Sequence, residues 1–195
     1  NLATGAMRGA AGETTLSGFE NVIGTDYADN LTGDEGPNIL QPLRGGGYFD
    51  FATSGPDYID GGGGEDTLRI DFSLADLPEA QGVGTNATSI SRNTAGNAAT
   101  VDSYRYINVE RLELTGAGKG DLLYSWAAGD HDDILIGFGG DDTLGGKGGS
   151  DVLRGGDGND TIDGGGGADG LSGGGGYDTL FGGPDEVLGF DGNAR

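Results

Sequence analysis

The feature that most constrains this chain is a period of nine. From residue 128 to residue 181 the sequence divides into six consecutive blocks: AGDHDDILI, GFGGDDTLG, GKGGSDVLR, GGDGNDTID, GGGGADGLS and GGGGYDTLF. The sixth position of every block is aspartate: Asp133, Asp142, Asp151, Asp160, Asp169 and Asp178. The eighth is always leucine or isoleucine: Leu135, Leu144, Leu153, Ile162, Leu171 and Leu180. A fixed period of this kind marks a solenoid in which each repeat is one small structural unit stacked on its neighbours. Within each unit, glycines permit the backbone to turn tightly through positive φ. The last three residues flank one apolar side chain, which is the pattern of a minimal strand.

The period reappears upstream in GTDYADNLT (24–32), GDEGPNILQ (33–41), ATSGPDYID (52–60) and GGGGEDTLR (61–69). Sixth-position residues there are Asp29, Asn38, Asp57 and Asp66, and the apolar slots run Leu31, Leu40, Phe49, Ile59 and Leu68. One extra residue before Ile59 makes 42–51 a degenerate repeat, and Val22, nine before Leu31, fills the slot of a preceding one. Region 70–127 does not match. In it, 74–79 reads as a short helical turn, 82–99 as a small, polar loop, and YRYINVERLELT (104–115) as one or two strands. Asp121 and Leu123 fit a further degenerate repeat, and Trp126 stands nine residues before Leu135. The segment Phe19-Glu20-Asn21-Val22-Ile23-Gly24 resembles Ile107-Asn108-Val109-Glu110-Arg111-Leu112, and both read as strands leading into repeats. The chain therefore divides into a capping segment (1–23), a first repeat block (24–69), an irregular β insertion (70–127), a second block (128–181) and a fading repeat (182–195).

Composition narrows the function classes. There are 45 glycines in 195 residues, no cysteine, and a formal charge of −22. No disulfide framework or thiolate chemistry is available. Such an anion repels nucleic acid and acidic membrane surfaces, and no apolar stretch is long enough for a membrane-spanning helix. By composition alone the chain is a solvated, glycine-rich linker, but a linker has no reason to place leucine every nine residues. Gly170-Leu171-Ser172-Gly173-Gly174 matches a nucleophile elbow by letter only, because Ser172 ends a repeat and His131 is the single histidine. No zincin motif and no P-loop are present. The ends, Asn1 and Arg195, read as those of a piece of a longer polypeptide.

The blocks resemble the G-G-x-G-x-D-x-U-x nonapeptide of the RTX (repeats-in-toxin, haemolysin-type calcium-binding) family. Departures are Phe138 and Lys147 in place of the second glycine, His131 in the fourth slot, and Asn38 for aspartate. The resemblance implies an all-β fold, a parallel β-roll with two nonapeptides per coil, glycine-rich calcium-binding turns and one irregular insertion. Alternate repeats then stack, so that Asp133, Asp151 and Asp169 form one ladder and Asp142, Asp160 and Asp178 the other. Stacked carboxylates repel unless cations lie between them. Calcium suits such a site because it accepts about six to eight oxygen ligands in irregular geometry, whereas zinc prefers nitrogen and sulfur. Expected ligands are Asp29, Asn38, Asp57, Asp66 and the six aspartates above. The turn glycines Gly137, Gly140, Gly146, Gly149, Gly155, Gly158, Gly164 and Gly167 supply carbonyls. Pairs Asp133/Asp151, Asp151/Asp169, Asp142/Asp160 and Asp160/Asp178 imply at least four ions.

With one inward side chain per repeat the core is thin, and calcium is expected to be required for folding. The family resemblance further implies a secreted bacterial protein exported by type I secretion, with this module supporting a larger parent polypeptide and no catalysis of its own. The alternative is a calcium-dependent adhesin or carbohydrate-binding module whose partner is a glycan or cell-surface ligand. Trp126, Tyr104 and Tyr106 are then either core residues or a sugar-stacking platform.

Overall fold

A slot every nine residues places successive apolar side chains on opposite faces of a flattened coil, and the computed structural model has this form. It describes residues 20–24, 30–42, 58–73, 81–86, 89–94, 100–125 and 130–183. Every element among them is a strand. One face is a seven-stranded parallel sheet of β1 (Asn21–Ile23), β3 (Ile39–Gln41), β5 (Thr67–Asp71), β9 (Arg111–Thr115), β11 (Ile134–Gly139), β13 (Val152–Asp157) and β15 (Gly170–Gly175), in that order. The other face carries β2 (Asn30–Thr32), β4 (Tyr58–Asp60) and β8 (Thr100–Ile107) in one sheet. A second sheet there holds β10 (Leu122–Tyr124), β12 (Thr143–Gly148), β14 (Thr161–Gly166) and β16 (Thr179–Phe181). The all-β parallel solenoid expected from the period is the observed fold.

Register follows the eighth-position residues. Leu135 pairs with Leu153, and Leu153 with Leu171, on the first face. Leu123 pairs with Leu144, Leu144 with Ile162, and Ile162 with Leu180 on the second. Leu40, Ile59, Leu68, Leu123, Leu135, Leu153 and Ile162 have no exposed surface. Two columns of aliphatic side chains thus meet back to back, and each column is one residue wide for most of its length.

The core is widest at β5 and β9. Both Leu68 and Ile70 point inward and pair with Leu112 and Leu114, and Phe72 is buried beyond them. Leu114, rather than Leu112, then pairs with Leu135. The inward column shifts by two residues at this point, and the coils on either side are offset along the strand.

These pairings change one expectation, for 82–99, and decide between the two readings of Tyr106. Leu31 pairs with Ile59 and Leu40 with Leu68; Phe49, in 43–57, lies outside the described residues. Stretch 82–99, read as a loop, contains most of an antiparallel hairpin, β6 (Gln81–Asn86) and β7 (Ser89–Thr94), paired onto β8. Its residues lack an apolar alternation, so its strand character comes from the free edge of β8 and from β6 lying against β10. Tyr106 is 2% exposed and pairs with Ile59, so it is a core residue and not a sugar platform. The helical turn expected at 74–79 and Trp126 lie outside the described residues.

The second and fourth positions of the turns that begin at Gly61, Gly137, Gly146, Gly155, Gly164 and Gly173 take positive φ, as at Gly156 (119°) and Gly158 (138°). A Cβ on Gly174, also a second position with φ 101°, would strike the Gly156 carbonyl of the preceding coil. Phe138 (φ 81°) and Lys147 (φ 79°) hold second positions against this preference; Lys147 Nζ lies 5.6 Å from the centre of the Tyr124 ring. The expected outcome is opposite for two substitutions. Gly174→Ala should lower stability by about 1–3 kcal/mol. Phe138→Gly removes about 1–2 kcal/mol of left-handed strain, less about 0.5–1 for glycine's backbone entropy, and should leave stability unchanged or slightly higher. Thermal unfolding at saturating calcium checks both.

Candidate metal centre

Each turn ends on a carboxylate, and the parallel stacking of coils decides what that carboxylate touches. The amide of Asp142 donates to Asp160 Oδ1 at 2.8 Å, and the amide of Asp160 to Asp178 Oδ1 at 2.9 Å. On the other face the amide of Asp133 donates to Asp151 Oδ1 at 2.8 Å, and that of Asp151 to Asp169 Oδ1 at 2.9 Å. Both ladders implied by the resemblance therefore form, each rung linking residues 18 apart in sequence. The carbonyl of each upper aspartate accepts the next strand's first amide, as in Thr161 to Asp142 at 2.8 Å.

One oxygen of each carboxylate is thus used. The Oδ2 atoms of Asp66, Asp142, Asp151, Asp160 and Asp169 are buried and have no hydrogen-bond partner. Such an atom is costly in a folded protein unless something else satisfies it. All five face a gap left by the first glycine of their own repeat. A Cβ built on Gly155 would lie 2.6 Å from the carbonyl oxygen of Gly173, one coil on, and closer still to Asp160 Oδ2. At Gly146 the corresponding carbonyl is Gly164, at 2.7 Å, with Asp151 Oδ2 closer; at Gly137 it is Gly155, at 2.5 Å, with Asp142 Oδ2 closer. Gly164 faces Asp169 Oδ2 in the same way. First-position glycines are therefore required because carboxylate and carbonyl oxygens converge where a side chain would begin. The fourth-position glycines Gly140, Gly149, Gly158 and Gly167 instead provide positive φ, and a Cβ on Gly158 would strike the Gly140 carbonyl.

Among the described residues no three His, Cys, Asp or Glu side chains converge as a metal cluster. Any cation held here draws on two coils and on backbone oxygen. An anionic, all-oxygen, partly main-chain donor set fits calcium and suits neither zinc nor a strict magnesium octahedron.

Asp133 differs from the rest of its ladder. Its Oδ1 accepts the Leu112 amide at 2.6 Å, and its Oδ2 accepts the Ser125 hydroxyl. Asn38 keeps the ladder geometry with a neutral side chain: its amide donates to Asp66 Oδ1 at 2.8 Å, and its own Oδ1 accepts the Asp34 amide at 2.8 Å. Asp29 and Asp57 lie outside the described residues. Two rungs fall outside the expected ligand set. The Asp121 amide donates to Asp142 Oδ1 at 2.6 Å, and the Asp66 amide to Glu110 Oε2 at 2.9 Å. The block GAGKGDLLY (116–124) carries the signal for Asp121, with glycine first, aspartate sixth and leucine eighth.

The nonapeptide pattern matches the RTX calcium-binding repeat in four copies, at residues 14–41, 51–69, 127–153 and 145–180. This chain belongs to the RTX calcium-binding nonapeptide repeat family. No curated protein matches the sequence. RTX repeats bind calcium and are typically structural rather than catalytic. Among the described residues of this RTX chain, no helix is long and apolar enough to cross a membrane.

Burial, ahead of the neighbouring carboxylates, raises the metal-free pKa of Asp66 to about 6, of Asp151 to about 7 and of Asp142 to about 8, and burial also raises Asp133 and Asp160. The sign of the pH dependence follows. Below the unfolded value of 3.8 both states are protonated and the roll keeps its full advantage. As pH rises from there to about 8, the unfolded chain ionises freely and the metal-free roll loses stability. In chelator, β circular dichroism should therefore be stronger at pH 4 than at pH 8. With calcium the order reverses, because protons compete with the cation.

Proposed function

We propose that this RTX module is a folding switch of a secreted bacterial protein: disordered where calcium is scarce, folded in extracellular calcium, and stabilising the polypeptide it belongs to. The observation that carries this reading is the set of five buried, partnerless Oδ2 atoms, each beside a first-glycine gap. Without a cation the folded state buries carboxylate oxygens with nothing to satisfy them. The core, one residue wide over most of the roll, does not offset that cost together with the ordering entropy of a glycine-rich chain. When bound, calcium supplies the positive charge that the stacked carboxylates lack.

The residues proposed to hold it are Asp151 with Asp169, Asp142 with Asp160, Asp160 with Asp178, and Asp121 with Asp142. Carbonyls of Gly137, Gly155, Gly164 and Gly173 join them. Asp133 enters the Asp151 site through its amide, its carboxylate being held by Leu112 and Ser125. An unfolded chain is threadable, so a narrow export channel and a calcium-rich exterior are compatible with the same sequence. RTX proteins are typically secreted by bacteria, which accords with this reading.

The test is far-UV circular dichroism during calcium titration of the whole chain, with magnesium as control. A cooperative gain of β signal with calcium alone supports the switch, and a fully folded spectrum in excess chelator overturns it. Within the titration, Asp160→Ala should raise the calcium midpoint more than Asp178→Ala does. Asp160 holds the Asp142 amide and lends its own amide to Asp178, whereas Asp178 terminates the ladder of described residues. Equal shifts would contradict the stacking.

A further inference from the structure

The two-residue shift at β9 leaves a carboxylate site that the nonapeptide pattern does not contain. Asp66 has no exposed surface, and its Oδ2 is one of the partnerless atoms. The residue facing it from the next coil is not an aspartate six places into a glycine turn. It is Glu110, at the end of the short connection between β8 and β9. The hydrogen bonds show that Glu110 occupies the ladder position. The amide after it, Arg111, donates to the Asp66 carbonyl at 2.9 Å, as Val152 does to Asp133 at 2.8 Å. The Asp66 amide donates to Glu110 Oε2 at 2.9 Å, the bond that aspartate makes elsewhere.

Asn108 takes the part of the missing first glycine. A Cβ on Gly61 would lie 2.6 Å from Asp66 Oδ2 and closer still to the Asn108 carbonyl, as Gly155 does with Asp160 and Gly173. Asn108 has φ 50°, a left-handed conformation that asparagine tolerates. Its Nδ2 donates to Asp60 Oδ1 at 2.8 Å, which fixes the turn. The carboxylates of Glu110, Asp34 and Asp60 all act on Asp66 with the same negative sign.

We propose that Asp66, Glu110 and the Asn108 carbonyl form a calcium site at the seam between the two repeat blocks, built from residues two of which lie outside any nonapeptide. This site rests on the calcium-binding reading of the module and adds one ion to it. Its place in the fold gives it a distinct task. It closes the Asn38–Asp66–Glu110 ladder at the coil where the inward column shifts, and so fastens the first block to the second across the hairpin insertion.

Glu110→Gln separates a metal ligand from a structural cap, since the amide oxygen still accepts the Asp66 hydrogen bond while the charge is lost. Calcium titration by calorimetry on the full chain, with calcium as the only probe, should show one ion fewer in E110Q than in the unsubstituted chain, the remaining affinities being unchanged. A folded E110Q that binds as many ions with the same affinities overturns the seam site. If E110Q does not fold at saturating calcium, Glu110→Asp is read in the same titration. Withdrawing the carboxylate by one methylene should weaken one site at least tenfold, and unchanged affinities again overturn the proposal. An unsubstituted chain that binds no calcium would instead refute the module's proposed function, so the two failures are distinguishable.

Discussion

The structure depends on a divided carboxylate. At Asp66, Asp142, Asp151, Asp160 and Asp169, one oxygen accepts an amide from the preceding coil, and the other is held in the interior beside a glycine gap. The first interaction sets the register between coils, and the second sets a condition on the fold. A neutral oxygen also accepts an amide, as Asn38 Oδ1 does from Asp34 within its own turn. An amide side chain has no second oxygen to offer, whereas a carboxylate leaves one free for a cation. The residues that set the register are therefore also the candidate metal ligands. Aspartate suits this role because its short side chain keeps both oxygens close to the backbone that positions them.

The same bond explains how the roll tolerates irregular sequence. The carboxylate-to-amide step spans 18 residues in regular coils, 21 at Asp121–Asp142, 28 at Asn38–Asp66 and 44 at Asp66–Glu110. Its length stays between 2.6 and 2.9 Å throughout. Extra residues leave the coil between strands and return to it without altering the rung. The cost of closing a longer loop grows only logarithmically with its length. The hairpin β6–β7 shows this at its largest: it lies between β8 and β10 on the second face, while the first face continues unbroken from β5 to β9.

What was legible in the sequence follows from where geometry is enforced locally. Leu135 to Leu180 and their aspartates are readable because every coil there imposes the same backbone, so the same residue types recur. Lys147 and Phe138 are visible as departures for the same reason. Glu110 is not, since its position is defined by hydrogen bonds to a residue 44 places earlier and its turn has no glycine signature. The hairpin was misread because its pairing is supplied by a strand edge and not by its own pattern. Tyr106 left two readings open, core or sugar platform, and its pairing with Ile59 and its burial decide for core. The likeness of 19–24 to 107–112 rests on a shared Asn-Val, but the pairing sets another register: Val22 pairs with Leu40 and Leu112 with Leu68. Glu20 and Glu110, each two residues before, therefore stand where the repeat has aspartate.

Packing and internal satisfaction of the carboxylates are not uniform along the roll. The coil of β9, β10 and β11 contains the widest part of the core, with Leu112, Leu114 and Leu123 all at most 1% exposed, and Tyr106 and Phe72 packed beside them. It also contains Asp133, whose two oxygens are satisfied by Leu112 and Ser125 within the protein. Arg111 and His131 add favourable charge to that carboxylate. Moving outward toward β15, the apolar column narrows to one side chain per face, and the carboxylates keep an unsatisfied oxygen. Packing and internal hydrogen bonding are therefore most extensive around this middle coil. A solenoid propagates from its most stable repeat. Here that repeat is the coil with the widest core and an internally satisfied Asp133, and folding is expected to spread from it.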